Sequence, residues 1–255
     1  MKDFTITSLD SMMGVSLQAE DNGLALFILD ELQNTTLANT EETTDITGKM
    51  GRKISSIKMN KAATISGTNG FISGGLLAVQ AGDELHTGAA DIMIAESVTL
   101  TNGVGDLTKT IADGVTKVNV RLKDANGSLG DAEVATVASN KVTVTSATSV
   151  ASAEAVVYYP AKATGVNYVT NYSDHYSSKC ELYVDGTCED ACGQIYKMQI
   201  HAPKASFDGN FDLAFGDSQS VHNFNAELLA GCGTTGELWT MYVYTDNGFV
   251  PVDDD

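Results

Sequence analysis

The feature that most constrains the fold is a pair of alternating segments between Gly193 and Leu229. From Ile195 to Ala202, apolar side chains occupy every second position with polar side chains between them, which is the pattern of a half-buried strand. Pro203 has no N–H group, so we expect the strand to end there. From Phe207 to Phe215, one face holds Phe207, Gly209, Phe211, Leu213 and Phe215, and the other holds Asp208, Asn210 and Asp212. The two segments predict a β-hairpin with an acidic side toward solvent and nothing typical of a catalytic centre.

Acidic residues greatly outnumber basic ones. The 255 residues include 15 Lys+Arg and 33 Asp+Glu, for a formal net charge of −18. A surface of this sign repels the phosphate backbone, which argues against nucleic-acid binding by counterion release. The charge has two interpretations: it keeps the protein soluble, or it lines a channel through which DNA passes without adhering. Taken alone, the charge favours the first.

The sequence predicts a protein made and kept in a cytoplasm. It has no apolar run of roughly 18 residues, so we expect no membrane-spanning helix. The first ten residues, MKDFTITSLD, lack the basic start and apolar core of a signal peptide. We therefore expect reduced thiols, not a disulfide framework, at the four cysteines, which are Cys180, Cys188, Cys192 and Cys232.

The N-terminal part predicts strands, a long loop and a helix. Leu24–Leu29 is typical of a buried strand, and Lys53–Ser66 of a second strand. The polar, Thr-rich segment Gln33–Thr47 indicates an extended loop or arm that orders on contact with a neighbour. An N-cap at Asn69 or Ser73 and a left-handed C-cap at Gly82 predict a helix between them. Its apolar stripe would comprise Phe71, Leu76, Leu77 and Val79.

The rest of the chain predicts further β structure. Short alternating patterns between Ala95 and Tyr159 indicate a small sandwich-like insert. Near the end, Leu238–Tyr244 is apolar or aromatic on both faces, which is typical of a central or interface strand.

Patterns that would indicate catalysis or metal binding are weak. Cys188 and Cys192 lack the paired C-x2-C spacing of zinc sites, so buried thiols near a turn are the better interpretation. The spacing of Asp208, Asp212 and Asp217 matches no calcium loop and favours a solvated acidic face. No phosphate-binding glycine loop or nucleophile elbow occurs. We expect no enzyme activity, no cofactor and no metal.

Several segments carry a resemblance to a known family. They are Cys192-Gly193-Gln194-Ile195-Tyr196, His201-Ala202-Pro203-Lys204-Ala205, Asp208-Gly209-Asn210-Phe211, Val221-His222-Asn223-Phe224-Asn225-Ala226-Glu227-Leu228, the closing aromatic strand, and the strand-helix step from Ala63 to Gly82. Together these segments resemble the major tail tube proteins of tailed bacteriophages, especially those infecting Gram-positive hosts, over about half of the chain.

The resemblance implies a mainly β fold: a β-sandwich or barrel-forming tail-tube fold with one flanking helix and a small β (Ig-like) insert. The implied domains are 1–94 and 161–255, as the two parts of a tube domain, with 95–160 as the insert. It also implies rings, commonly hexameric, that stack into an acidic-lined conduit for genome delivery. The partners would be further copies of the chain, other tail proteins (tape measure, terminator, baseplate or sheath) and passing genomic DNA without tight binding. The protein would be assembled in the host cytoplasm and located in the virion tail.

Particular residues take roles in this hypothesis. We predict that Asp208, Asn210 and Asp212 face the lumen. The candidates for subunit interfaces are Trp239, Tyr242, Tyr244, Thr35, Thr36, Thr43 and Thr44, and segment 33–47 would be the arm between rings. Two alternatives stay open: a head decoration or minor capsid-associated protein, and a carbohydrate-binding adhesin module, which uses exposed aromatic residues.

Overall fold

A computed structural model describes residues 3–18, 23–213, 221–231 and 236–245. Within it the chain divides into two compact units. The first, called the sheet unit below, comprises residues 1–85 and 168–255, and the second, called the barrel unit, comprises residues 86–167.

The described part of the chain is mainly β, with one α-helix, which confirms the predicted fold class. The first elements are β1 (Phe4–Ser16), β2 (Ala25–Leu29), β3 (Leu32–Thr47), β4 (Lys53–Asn69) and α1 (Gly74–Ala81). The barrel unit is built from β5 (His86–Thr101), β6 (Val104–Asp106), β7 (Lys117–Lys123), β8 (Leu129–Ala138), β9 (Lys141–Thr143) and β10 (Ser152–Tyr168). The chain then continues through β11 (Lys179–Asp190), β12 (Ile195–Phe207), β13 (His222–Leu228) and β14 (Thr240–Tyr244).

The sheet unit holds one antiparallel sheet in the order β2-β1-β11-β12-β13-β4-β3, and β14 pairs with β12 as the eighth strand. Two strands share one edge of β12. Its residues 197–201 pair with β14, and its residues 205–207 pair with β13. Strand β12 therefore joins the two halves of the sheet.

Pro203 does not end its strand, so that prediction was wrong. Strand β12 runs through it to Phe207. On one side Pro203 falls at an irregularity, where Ala202 and Ala205 oppose Leu182 and Cys180. On the other side it lies between the segments paired with β14 and β13. A bulged position between two partner strands can omit a ladder hydrogen bond, and a proline is tolerated there.

Helix α1 has the start and end that the sequence predicts. The Ser73 side chain accepts a hydrogen bond from the Leu76 N–H at 3.3 Å, and Gly82 closes the helix with a φ of 71°. Phe71 was wrongly assigned to the apolar stripe, because it precedes the helix and is exposed. Gly75 is required by packing, since a Cβ there would overlap the carbonyl oxygen of Leu26 on β2.

The core of the sheet unit lies between the curled sheet and α1. The Phe27 and Phe207 rings meet edge to face at 5.4 Å between centroids. Leu182 on β11 is buried in the same cluster. Strand β2 contributes Phe27 and Leu29 but exposes Ile28, so the predicted buried strand is buried on one face only.

The barrel unit closes on itself in the order β10-β5-β6-β9-β8-β7, and β7 pairs with β10. The predicted small β insert is a closed ring of six strands. Alternating residues fill its interior, as Val118 and Val120 do on β7. Closure leaves the ring without an edge strand.

Candidate functional site

The sheet unit, unlike the barrel unit, ends in two edge strands. Strand β2 has five residues and β3 has 16, and among the described residues neither has a ladder partner on its outer side. Most strands have about five or six residues, so β3 is long for an edge. Segment 33–47 was predicted as a loop, and that was wrong, because it lies within β3. Its threonines suit a pleated strand, but only its first residues, such as Leu37, pack on the core, so no sustained apolar alternation reveals it.

The β3–β4 hairpin extends well beyond the rest of the sheet. Ala63 is the last β4 residue paired with β13. Residues 53–62 of β4 pair only with β3 among the described residues, and these ten residues span about 33 Å at the rise of a strand. The hairpin turns through a short 3-10 segment, Lys49–Gly51.

The two faces of this hairpin differ in character. Ile46, Ile57 and Met59 lie on one face and are each 41–49% exposed, and together they are called the apolar stripe. The other face carries ion pairs, Lys58 with Glu41, and Lys53 with Asp45 at 2.5 Å. Solvated ion pairs of this kind contribute little stability. The hairpin is therefore amphipathic, and its apolar stripe is open to solvent.

The predicted interface threonines are distributed along β3. The Thr35 side-chain oxygen is buried and has no hydrogen-bond partner among the described residues. Thr36 is exposed and lies opposite Ser66. Thr43 and Thr44 lie on opposite faces of the hairpin, and the Thr44 hydroxyl is 3.9 Å from the Met59 sulfur. These positions do not form one cluster.

The face of the sheet opposite its core is polar across β11, β12 and β14, and we call it the polar face. Its members are Glu181, Tyr183, Asp185, Lys197, Gln199, His201, Tyr242 and Tyr244. The Glu181 carboxylate lies 2.6 Å from the His201 ring and accepts a hydrogen bond from the Tyr183 hydroxyl at 2.8 Å. Burial and the Glu181 carboxylate raise the pKa of Tyr183 to about 12. The alternation in β12 predicts the polar side formed by Lys197, Gln199 and His201, and the alternation in β11 carries the signal for the neighbouring part of the face.

The predicted aromatic interface residues divide between the two sides of the sheet. Tyr242 and Tyr244 lie on the polar face, opposite Gln199 and Lys197, and Tyr242 is 48% exposed. Trp239 instead packs against the hydrophobic core of the sheet unit.

The predicted lumen residues lie in a turn after β12, not on a strand. Asp208 accepts hydrogen bonds from the backbone and side-chain nitrogens of Asn210, at 2.9 and 2.6 Å. Asp212 is exposed, and its N–H donates to the Asn223 side chain at 2.9 Å. The predicted second strand is therefore wrong for residues 208–212, because this local hydrogen bonding replaces strand pairing. The rest of that prediction, including Phe215 and Asp217, lies outside the described residues.

A buried polar cluster joins α1 to β13. The His222 ring accepts a hydrogen bond from the Ser73 N–H at 3.4 Å through Nδ1, so its Nε2–H donates to the Gln80 side chain at 2.7 Å. Gln80 in turn donates to the Asn223 carbonyl oxygen at 3.2 Å. Burial lowers the pKa of His222 below its usual value of 6.5. These buried hydrogen bonds tie α1 to β13.

The described cysteines lie near the two ends of β11 and in the turn that follows it. Cys180 and Cys188 are buried, and burial, with the neighbouring Glu181, raises the pKa of Cys180 to about 12. Cys192 is exposed in the turn between β11 and β12, and Cys232 lies outside the described residues. Among the described residues, no group of three or more His, Cys, Asp or Glu side chains has the geometry to hold a metal.

Within the described segments, no helix has both the length and the apolar character needed to cross a membrane. A family model described as the YomU/Tube protein family matches residues 7–242. No curated protein matches the sequence. The family match spans both units, and the family name points to a phage tube protein and so to a virion component. The chain belongs to the YomU/Tube protein family.

Proposed function

We propose that this chain is a structural protein of the phage virion that assembles with copies of itself into rings, and that the rings stack into a tail tube. The observation that carries the proposal is β3, an edge strand of 16 residues whose outer side has no partner among the described residues. It contains neither proline nor lysine, two residues that protect exposed edges. Such a strand is a template for pairing with another chain.

Pairing between different edges of neighbouring copies would build the proposed ring. If β3 of one copy pairs with β2 of the next, the contact is heterologous, and a heterologous contact that closes generates a ring. The eight-stranded sheet then continues from subunit to subunit without an exposed edge. Closing the edges also prevents random aggregation.

The β3–β4 hairpin is the proposed arm between successive rings. It projects about 33 Å past its last β13 partner, further than one layer of side chains can reach. Its apolar stripe gains free energy when a neighbouring subunit removes it from water. Thr43 and Thr44 would lie within this contact.

The lumen would be lined by polar and acidic groups. The polar face supports this role, because its side chains pair laterally with each other, as Gln199 does with Asp185 at 2.8 Å. Asp208, Asn210 and Asp212 stay candidates for the same wall. A net charge of −18 disfavours tight binding of the passing genome. We propose no catalytic role, and we propose tape measure, terminator, and baseplate or sheath proteins as the other partners.

The decisive experiment is negative-stain electron microscopy of the full chain over a range of concentrations, with a variant that shortens the hairpin. Thr40 and Ala62 are directly paired, so residues 41–61 can be replaced by Asn-Gly, which closes paired strands in a two-residue turn. We expect rings and tubes with a central hole from the unaltered chain. The shortened variant should stop at rings or smaller species.

A matched control shortens a hairpin in the barrel unit. Lys123 and Leu129 are also paired, so residues 124–128 can be replaced by Asn-Gly in the same way. This variant should form tubes like those of the unaltered chain. A full chain that stays a monodisperse monomer or trimer at every concentration would overturn the proposal and favour a capsid-associated protein.

A further inference from the structure

A groove lies beside α1, next to the open β2 edge of the sheet. It consists of two adjoining cavities of about 390 and 370 Å³, which share Leu26, Val79, Asp83 and Glu84. Its walls are the end of β1, the start of β2 and helix α1, and we call it the α1 groove. Leu24 and Leu85 stand at one side and are 60% and 48% exposed.

The groove combines an apolar floor with a net acidic rim. Leu26 and Val79 form the floor. Asp83 accepts a hydrogen bond from the Thr170 N–H at 3.0 Å, which fixes its carboxylate, and Glu84 is exposed. Lys179 lies at the far end of the second cavity and offsets part of this charge. The site is shaped for an apolar group accompanied by positive charge.

The β4 side and turn of the far end of the β3–β4 hairpin are basic, and the facing β3 residues Glu41, Glu42 and Asp45 offset part of that charge. Residues 48–61 contain five Lys or Arg and no Asp or Glu, whereas the rest of the chain holds 10 basic and 33 acidic residues. Lys49 and Arg52 form no ion pair with any described residue. Electrostatic attraction therefore draws this tip toward other parts of a second copy.

Met50 at the tip combines an unfavourable backbone conformation with an exposed side chain. It has φ 64° and ψ 27°, in the left-handed region, and its side chain is 97% exposed. Glycine or asparagine would adopt this conformation more easily. An exposed apolar side chain on a strained backbone is consistent with a contact made elsewhere.

We propose that the hairpin tip of one copy docks in the α1 groove of a second copy, with Met50 on the apolar floor and the Lys49 and Arg52 charges beside Asp83 and Glu84. The proposal rests on the proposed function and names the surface that the arm reaches. It also gives a role to Lys49 and Arg52, two of the five basic residues in segment 48–61.

The first test maps the contact in the full chain. A photo-crosslinking amino acid replaces Met50, and labelled and unlabelled chains are mixed so that cross-links between copies are distinguished by mass. We expect cross-links from position 50 to residues 24–26 or 83–85 of another copy. Cross-links between copies that fall on other surfaces would overturn the docking.

The second test uses charge. Lys49→Glu with Arg52→Glu should raise the concentration needed for assembly at least tenfold, and so should Glu84→Arg, which alters an exposed side chain. Combining all three should restore assembly. The control is Lys109→Glu with Lys117→Glu, which makes the same charge change at exposed barrel-unit positions and should assemble normally. No rescue by the combination would contradict the proposal.

The outcomes separate the two hypotheses. Tubes whose cross-links lie elsewhere overturn the docking and leave the proposed function intact. A chain that never self-associates overturns both. Retention of duplex DNA by the unaltered chain, lost in Lys49→Glu with Arg52→Glu, would assign the tip to nucleic acid and overturn the docking.

Discussion

The two units of this chain differ in whether the edges of their β-sheets are paired. Both are antiparallel β structures with buried apolar cores. In the barrel unit, β7 pairs with β10 and the ring closes, so the unit leaves no strand edge open. In the sheet unit, β2 and β3 keep outer sides that no described residue pairs with.

This difference indicates which unit would make the contacts of the proposed assembly. Closing a barrel is how a β domain becomes self-sufficient, whereas a long open edge is retained when another chain completes it. The amphipathic hairpin and the α1 groove also belong to the sheet unit. The comparison therefore predicts a self-contained barrel and a sheet whose full stability is reached in the assembly.

The largest expected effect comes from emptying each core in turn. Leu182 on β11 and Leu100 on β5 are both fully buried, so Leu→Ala at either site should cost about 2–5 kcal/mol of unfolding free energy. Trp239, the sole tryptophan, packs on the sheet-unit core and reports that unit by fluorescence. Leu182→Ala should strongly lower the urea concentration at the midpoint of the Trp239 transition.

Leu100→Ala should leave that midpoint unchanged and instead weaken hydrogen-exchange protection in β5–β10. If Leu100→Ala shifts the Trp239 transition equally, the two units unfold as one and the comparison fails.

The sequence indicated most of the local structure and little of the pairing. The caps at Ser73 and Gly82 bound α1 correctly, because capping is decided within one turn of chain. The prediction that Pro203 ends its strand was wrong because the outcome depends on the hydrogen bonds of the partner strands on either side. The nearest paired residues of those strands are 180–182, 228 and 240. The prediction for segment 33–47 was wrong because only its first part packs on the core, and its outer part has no buried face.

The candidate surfaces were harder to foresee. Predicted lumen positions such as Asp208 follow from the sequence only if their segment is a strand, and a local hydrogen-bonded turn replaces that strand. The α1 groove joins residues 16, 26 and 178, and no local pattern brings such positions together. The five basic residues of segment 48–61 are visible in the sequence, but their significance depends on the position of this segment at the end of a projecting hairpin.

A smaller effect should distinguish the units by pH. Burial holds the pKa of His222 below 6.5, so the folded sheet unit binds fewer protons than the unfolded chain. Its stability is therefore full above pH 6.5 and falls as the pH drops below that value, by up to about 1.4 kcal/mol per pH unit. Urea unfolding followed by Trp239 fluorescence at pH 7.5 and 5.5 measures this loss.

The barrel unit has a matching group that titrates in another range. Burial disfavours the Glu96 carboxylate, but hydrogen bonds from Tyr159 and Thr108 outweigh it and hold the pKa of Glu96 below 4.5. The stability that Glu96 contributes to the barrel unit is present above pH 4.5 and is lost only at lower pH.

His222→Asn is the control for the sheet unit. It should reduce that unit's loss of stability between pH 7.5 and 5.5, even if it lowers stability at every pH. An equal loss in His222→Asn would assign the effect to other groups.

The smallest expected effect is from removing the barrel unit altogether. The Thr87 hydroxyl and the Asn167 side chain are hydrogen bonded at 2.7 Å, so the two ends of the unit are adjacent and a short Gly-Ser linker can join Leu85 to Tyr168. Because the two hydrophobic clusters share no residue, the shortened chain should keep the Trp239 transition within about 0.5 kcal/mol. If open edges drive assembly, electron microscopy should show tubes at an unchanged threshold concentration. Loss of tubes with the Trp239 transition intact would mean that the closed barrel takes part in contacts between copies. Open strand edges would then not distinguish a unit that assembles from one that does not.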